Sequence, residues 1–186
     1  MTGQEPDRFY YKDKKLELVG LKGKLPIPSD YGIETHMTAT SCRRGYIMRY
    51  KIVENHLFLD GFWFNTKSDD LPEINGVKPI KLSEETAKEG DYMHTMFTYE
   101  YRDLNLSLQF NGKILLAKDL IRSKYVHMGF QSPKAYKTVL EFDFKDGIIV
   151  DVEEKSEAAK KAMKKERKPK SMNPRDIEDW IIKRLS

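Results

Sequence analysis

Four histidines, at positions 36, 56, 94 and 127, are the side chains best suited to moving a proton near neutral pH. They lie 20, 38 and 33 residues apart, so no two share a helical turn or alternate along one strand, and the H-E-x-x-H and H-x-H metal patterns are absent. His127 has the richest neighbourhood, with Tyr125, Tyr136, Arg122 and Lys124 close in sequence. In such a set the imidazole would serve as the general acid or base of a small hydrolase or lyase. A tyrosine would assist it and a cation would steady an anionic substrate. Set between Val126 and Met128, the same ring equally suits a structural bond to a loop carbonyl. The lone cysteine, Cys42, is followed by Arg43 and Arg44, and adjacent cations favour a thiolate. A single cysteine is also a small apolar residue fit for burial.

Absent patterns narrow the chemistry further. No G-x-S-x-G elbow presents a serine, and no G-x-G pair or P-loop cradles a phosphate. One cysteine and scattered histidines give no closed ligand set, so the expectation is no metal and no cofactor. Catalysis is therefore a weaker expectation than binding.

A second group of residues could do binding chemistry. Ile177, Trp180, Ile181 and Leu185 fall on one face at helical spacing, behind an Asn173-Pro174 start that suits a helix cap and first turn. Such an apolar face needs a protein partner, a second copy of the chain or its own domain to cover it. Just upstream, Lys160, Lys161, Lys164, Lys165, Arg167, Lys168 and Lys170 form a basic patch interrupted by Glu166. The chain's whole net charge of +4 resides in residues 153–186, which hold 11 basic and 7 acidic side chains. That density suits nucleic acid, an acidic protein or anionic lipid, although without aromatic residues it is poorly suited to stacking bases.

The elements that must position these groups are mostly strands. Phe9 to Tyr11 and Lys15 to Val19 read as strands, and residues 21–32, rich in Pro and Gly, read as a connection. Tyr46 to Phe64 reads as a hairpin about a Glu54-Asn55 turn. Its register sets Ile52 opposite Leu57, Tyr50 opposite Leu59, Met48 opposite Gly61, Tyr46 opposite Trp63, and Arg49 opposite Asp60. Trp63 is then a core residue beside Tyr46, Met48 and Leu59. The reverse face, with Ile47, Phe58, Phe62 and Val53 beside Arg49 and Lys51, is expected to carry a second packing layer. Aromatic and basic residues mixed on a sheet also suit RNA, and Arg44-Gly45-Tyr46 starts like an RNA-recognition strand. Its continuation departs from that pattern.

Thr138 to Glu153 reads as a second hairpin about a three-residue Lys145-Asp146-Gly147 loop. Phe144 is expected opposite Ile148, Phe142 opposite Val150 and Leu140 opposite Val152. The other face sets Glu141 against Asp151, and like charges across a pair call for a cation or remain solvated. Residues 65–92 form a long polar excursion with a short helix at about 84–89. Met96 to Tyr101 and Lys113 to Ile121 are further strand candidates, although Ile114 to Ala117 also suits a short buried helix. No apolar run reaches the length of a membrane span and no leader is evident, so the expected location is cytoplasmic.

The string Ile121 to Tyr136, which contains Tyr-Val-His-Met-Gly-Phe, followed by Val139-Leu140-Glu141-Phe142, together with Arg44-Gly45-Tyr46 and Ile74-Asn75-Gly76-Val77-Lys78-Pro79, resembles a group of uncharacterised bacterial proteins of similar length. The resemblance runs from Asp7 to about Glu154. It implies a bacterial source and a β-rich domain, and it carries no mechanism.

The expected fold is mainly β, or α+β with helices segregated at the C-terminus. It is an antiparallel sandwich or partly closed barrel over residues 1–154, followed by a basic helical appendage over 155–186. The expected role is a non-catalytic module engaging a protein partner or a second copy. The alternatives are the His127 enzyme and nucleic-acid binding through the basic tail.

Overall fold

Short turns with both central residues at positive φ frame the architecture. Lys12-Asp13, Glu54-Asn55 and Asp146-Gly147 have φ of 48° and 60°, 48° and 65°, and 50° and 78°. These values match the right-handed twist of the strands they join. The computed structural model describes residues 2–86 and 92–156. The first turn joins β1 (Arg8–Tyr11) to β2 (Lys14–Lys22), the second β3 (Tyr46–Val53) to β4 (His56–Phe64), and the third β9 (Tyr136–Lys145) to β10 (Ile148–Glu154). Between the last two hairpins lie β5 (Ile80–Lys81), β6 (Tyr99–Tyr101), β7 (Leu106–Ser107) and β8 (Gly112–Leu120).

All ten strands belong to one sheet in the order β10-β9-β8-β2-β1-β3-β4-β6-β5, with β7 also on β4. The sheet is mixed, which corrects the antiparallel expectation: β1 and β3 run parallel. Strand β8 occupies the outer edge of β2, and the long connection after β2 lets the chain cross over to the open edge of β1. Along its other edge β4 meets β10 at His56, β7 at Phe58 and Leu59, and β6 from Phe62 to Phe64. The path from β4 through β3, β1, β2, β8, β9 and β10 thus returns to β4 through the single pair Ile148/His56.

The first hairpin keeps the expected register only near its turn. Ile52 opposes Leu57 and Tyr50 opposes Leu59, but a bulge at Asp60 then sets Arg49 opposite Gly61, Met48 opposite Phe62 and Tyr46 opposite Phe64. One extra residue exchanges the faces beyond it. Trp63 is buried as expected, but beside Ile47 on the reverse face, while Phe62 and Phe64 enter the main core. Gly61 sits where the strands close up: a Cβ there would lie 2.1 Å from the Tyr101 carbonyl oxygen and 2.7 Å from Arg49 Nη2. Only glycine fits without movement of backbone.

The second hairpin departs from the expected register. Its loop has two residues, so Ile148 opposes Lys145 and Ile149 opposes Phe144. A bulge at Val150 then sets Val152 opposite Phe142. The like charges fall at Asp143/Asp151 and Glu141/Glu153. Lys113 of β8 answers them, 3.0 Å from Glu141 and 3.7 Å from Asp143, with Lys155 2.6 Å from Glu153 and 3.7 Å from Glu141.

The main core gathers Phe9, Tyr50, Phe62, Phe64, Tyr101, Phe142 and the aliphatic residues between them. Two smaller clusters lie on the outer face. One joins Val19, Leu115, Ala117, Tyr136 and Val139; the other joins Cys42, Ile47, Trp63, Met93 and Phe97. The run Ile114 to Ala117 is strand, not helix, and is apolar throughout because its two faces feed different clusters. Residues 84–86 form a turn, and the rest of the expected 84–89 helix lies outside the described residues. So does nearly all of the appendage. Among the described residues, no helix is long and apolar enough to cross a membrane.

Candidate functional site

The outer face of β1 to β4 carries a row of charged groups between the two small clusters. Arg8, Arg49 and Gly61 are successive cross-strand neighbours, with Glu17 on the far side of Arg8. With no side chain on Gly61, Arg49 reaches across it to β6. It donates through Nη1 to Glu100 at 2.7 Å and through Nε to Asp60 at 3.0 Å. Glu100, only 1% exposed, also accepts from Arg102 at 2.6 Å. Burial works against the Arg49 charge, but Glu100 and Asp60 outweigh it and hold the guanidinium above its ordinary pKa. The Arg49 and Arg8 guanidinium carbons lie 4.6 and 5.0 Å from the centroid of the Trp63 ring, within cation–π range.

Two further pairs lock the surroundings. Asp7 accepts from both terminal nitrogens of Arg44, at 2.9 and 3.1 Å, and from the Met48 amide at 2.9 Å. Arg44 lies over Tyr46 and Phe130, so Arg44-Gly45-Tyr46 is built into the fold. The Tyr136 hydroxyl donates to Glu17, and burial together with the Glu17 charge pushes its pKa up. Cys42 is buried and its thiol donates to the Tyr46 carbonyl. Burial raises its pKa in spite of Arg44, so the sequence expectation of a thiolate meets the opposing effect of desolvation.

Of the residues grouped around His127, the structure brings two together. His127 is exposed on the loop between β8 and β9, edge-on to Tyr125 with ring centroids 5.0 Å apart. Tyr125 accepts the Gly3 amide at 3.1 Å, and Gln131 braces the same loop through both backbone groups of Val126. Arg122 is exposed, and Lys124 donates to the Lys134 carbonyl. Tyr136 is buried in the outer cluster, engaged with Glu17.

A polar cleft of about 650 Å³, lined by Gly32 to His36 on one side and Thr66 to Ser68, Asp70 and Leu71 on the other, opens between two connections. The sequence reading passed over it because both walls are loop residues distant along the chain. Arg8 and Glu100 lie on strands, β1 and β6, and escape a sequence reading for a different reason. Alternation places Arg8 on a face, but nothing local shows that the face is covered. Among the described residues no cluster of His, Cys, Asp and Glu is placed to hold a metal ion. The expected anchor residues Ile177, Trp180, Ile181 and Leu185 and the basic patch from Lys160 to Lys170 lie outside the described residues.

The last strand differs from all these. Ile148, Val150 and Val152 are 42%, 61% and 39% exposed, beside Val53 at 48%. Beyond Ile148, β10 has β9 on one side and no described strand on the other. No protein-family profile, curated protein or solved structure matches the chain.

Proposed function

We propose that the chain is a non-catalytic binding module that takes up an extended segment of a protein partner along β10. The observation that carries this reading is the open edge from Val150 to Glu154, where β-branched residues alternate with Asp151 and Glu153. Unpaired strand edges are templates for another strand: main-chain bonds supply affinity, and alternate side chains select the partner. The partner segment is extended and carries basic residues where it meets Asp151 and Glu153, with apolar residues against Val150 and Val152.

The test places a photo-crosslinking residue at position 150 in one variant and at position 12, in the β1–β2 turn, in another. Crosslinking to a synthetic strand of alternating valine and lysine at position 150 alone, lost with Val152→Pro, is the expected result. Equal crosslinking at both positions, or none at 150, overturns the proposal. A crosslinked dimer without peptide would show instead that a second copy occupies the edge.

A further inference from the structure

Arg8 is 8% exposed, yet among the described residues it has no carboxylate within ion-pair reach. Its contacts are the Tyr92 hydroxyl at 3.5 Å, the Met93 sulfur at 3.9 Å and the face of Trp63. The neighbouring arginines differ: Arg44 has Asp7, Arg49 has Asp60 and Glu100, and Arg102 has Glu100. Glu17 faces Arg8 across the β1–β2 ladder, but the Tyr136 hydroxyl holds its carboxylate. A buried guanidinium without a counter-charge is costly and needs an anion.

A second observation points to the same place. Trp63, 3% exposed, has its Nε1–H buried and without an acceptor. An indole N–H is a donor only, and it ordinarily finds a partner when buried. The buried indole N–H therefore lacks an acceptor, and the guanidinium stacked on the same indole lacks a counter-charge. Water would satisfy hydrogen bonds but would not neutralise the charge. A group with several acceptor oxygens and a negative charge does both, and the fork of Arg8 suits it. Tyr92 marks the approach: it is 52% exposed while its hydroxyl touches Arg8.

We propose that Arg8, Trp63 and Tyr92 form a binding site for the phosphate group of a small ligand, on the outer face of the sheet. The site is independent of strand docking at β10. Tyr10, two residues along the same strand face and 36% exposed, offers a surface for an organic body attached to that group.

The experiment follows the indole N–H resonance of Trp63 in the full chain, assigned with a Trp180→Phe variant, during titration with inorganic phosphate at constant ionic strength in chloride. A saturable shift is expected, weakened about tenfold or more by Arg8→Gln. Phenyl phosphate in place of inorganic phosphate separates the sources. Tighter binding of the ester shows an organic ligand, and equal binding shows the bare anion. Glu17→Gln removes a nearby negative charge and should tighten binding severalfold, a direction opposite to that of Arg8→Gln which no general loosening of the fold produces. A resonance that never saturates with either phosphate overturns the site, as does equal affinity in Arg8→Gln and the parent. If Arg8→Gln does not fold, Glu17→Gln decides: unchanged or weaker binding overturns the proposal.

Discussion

Two hairpins, β3–β4 and β9–β10, turn on the same kind of two-residue loop and each contains a bulge, yet they meet solvent very differently. In β3 and β4, Ile47, Met48, Tyr50, Leu57, Leu59, Phe62 and Phe64 are all fully or nearly fully buried, from both faces. In β10 every residue but Ile149 is exposed. Turn chemistry and alternation set the pairing in both, and neighbouring segments set the burial. Strands β1, β6 and β7 flank the first hairpin, and residues from Cys42, Met93 and Phe97 cover its outer face. Strand β10 has β9 and a single bridge to β4. An edge that stays uncovered is a liability in a merely structural strand and an asset in a docking strand.

The strongest test of that contrast is at the covered end. Trp63→Ala removes the indole that Ile47, Met93 and Phe97 pack against and that Arg8 and Arg49 overlie. A loss of about 3–5 kcal/mol in chemical denaturation is expected. A loss below about 1 kcal/mol would mean that the outer layer is not a true core and that both hairpins are covered on one face only.

The reach of the sequence differs between the same two regions. Near the first turn it is good: the Glu54-Asn55 turn, the Ile52/Leu57 and Tyr50/Leu59 pairs, and the Arg49–Asp60 ion pair all follow from types and spacing. Past the bulge at Asp60 it fails, because the bulge answers to distant groups. Gly61 must clear the Tyr101 carbonyl and the Arg49 side chain, and residues 101 and 61 are far apart in the chain. In the second hairpin Gly147 was recognisable as a positive-φ residue. Assigning Lys145 to the loop rather than to the ladder displaced every later pair. The carboxylates of β9 and β10 were visible as a problem, but their answer, Lys113, comes from β8. The outer-face site was the least legible part. Arg8 in isolation reads as an ordinary surface arginine of an amphipathic strand, and only the tertiary cover makes its missing partner significant.

A smaller effect is expected from the hydroxyl of Tyr101, fully buried and bonded to the Pro72 carbonyl. Burial pushes its pKa from 10.0 up to about 12. The folded state thus favours the protonated phenol, so this contribution is complete below pH 10 and is lost as pH rises through about 12. Denaturation curves collected across that window should show the parent losing stability with rising pH and Tyr101→Phe losing less. Tyr50 and Tyr136, also shifted upward by burial, keep some slope in both proteins. At neutral pH the variant should cost about 1 kcal/mol for the bond removed. Parallel curves for parent and variant would show that Tyr101 reaches solvent and that the covered hairpin is looser than its packing indicates.

The smallest stability effect is expected at the open end, from Val150→Lys. Val150 is the bulged residue of β10, 61% exposed, with no residue of β9 directly opposite it. Its side chain contributes little burial, and its replacement should change stability by no more than about 0.5 kcal/mol. A lysine on an edge strand is also one of the ordinary ways in which proteins discourage strand pairing. The variant should therefore keep the denaturation midpoint of the parent while losing the alternating valine–lysine strand that the parent takes up, since the new cation replaces the apolar contact that position 150 offers to a valine of that strand. This separation of stability from docking distinguishes β10 from β3, where the same kind of change at Ile47 would unfold the chain. If Val150→Lys destabilises by about 2 kcal/mol or more, the edge is covered in solution, and the difference between the two hairpins is one of degree.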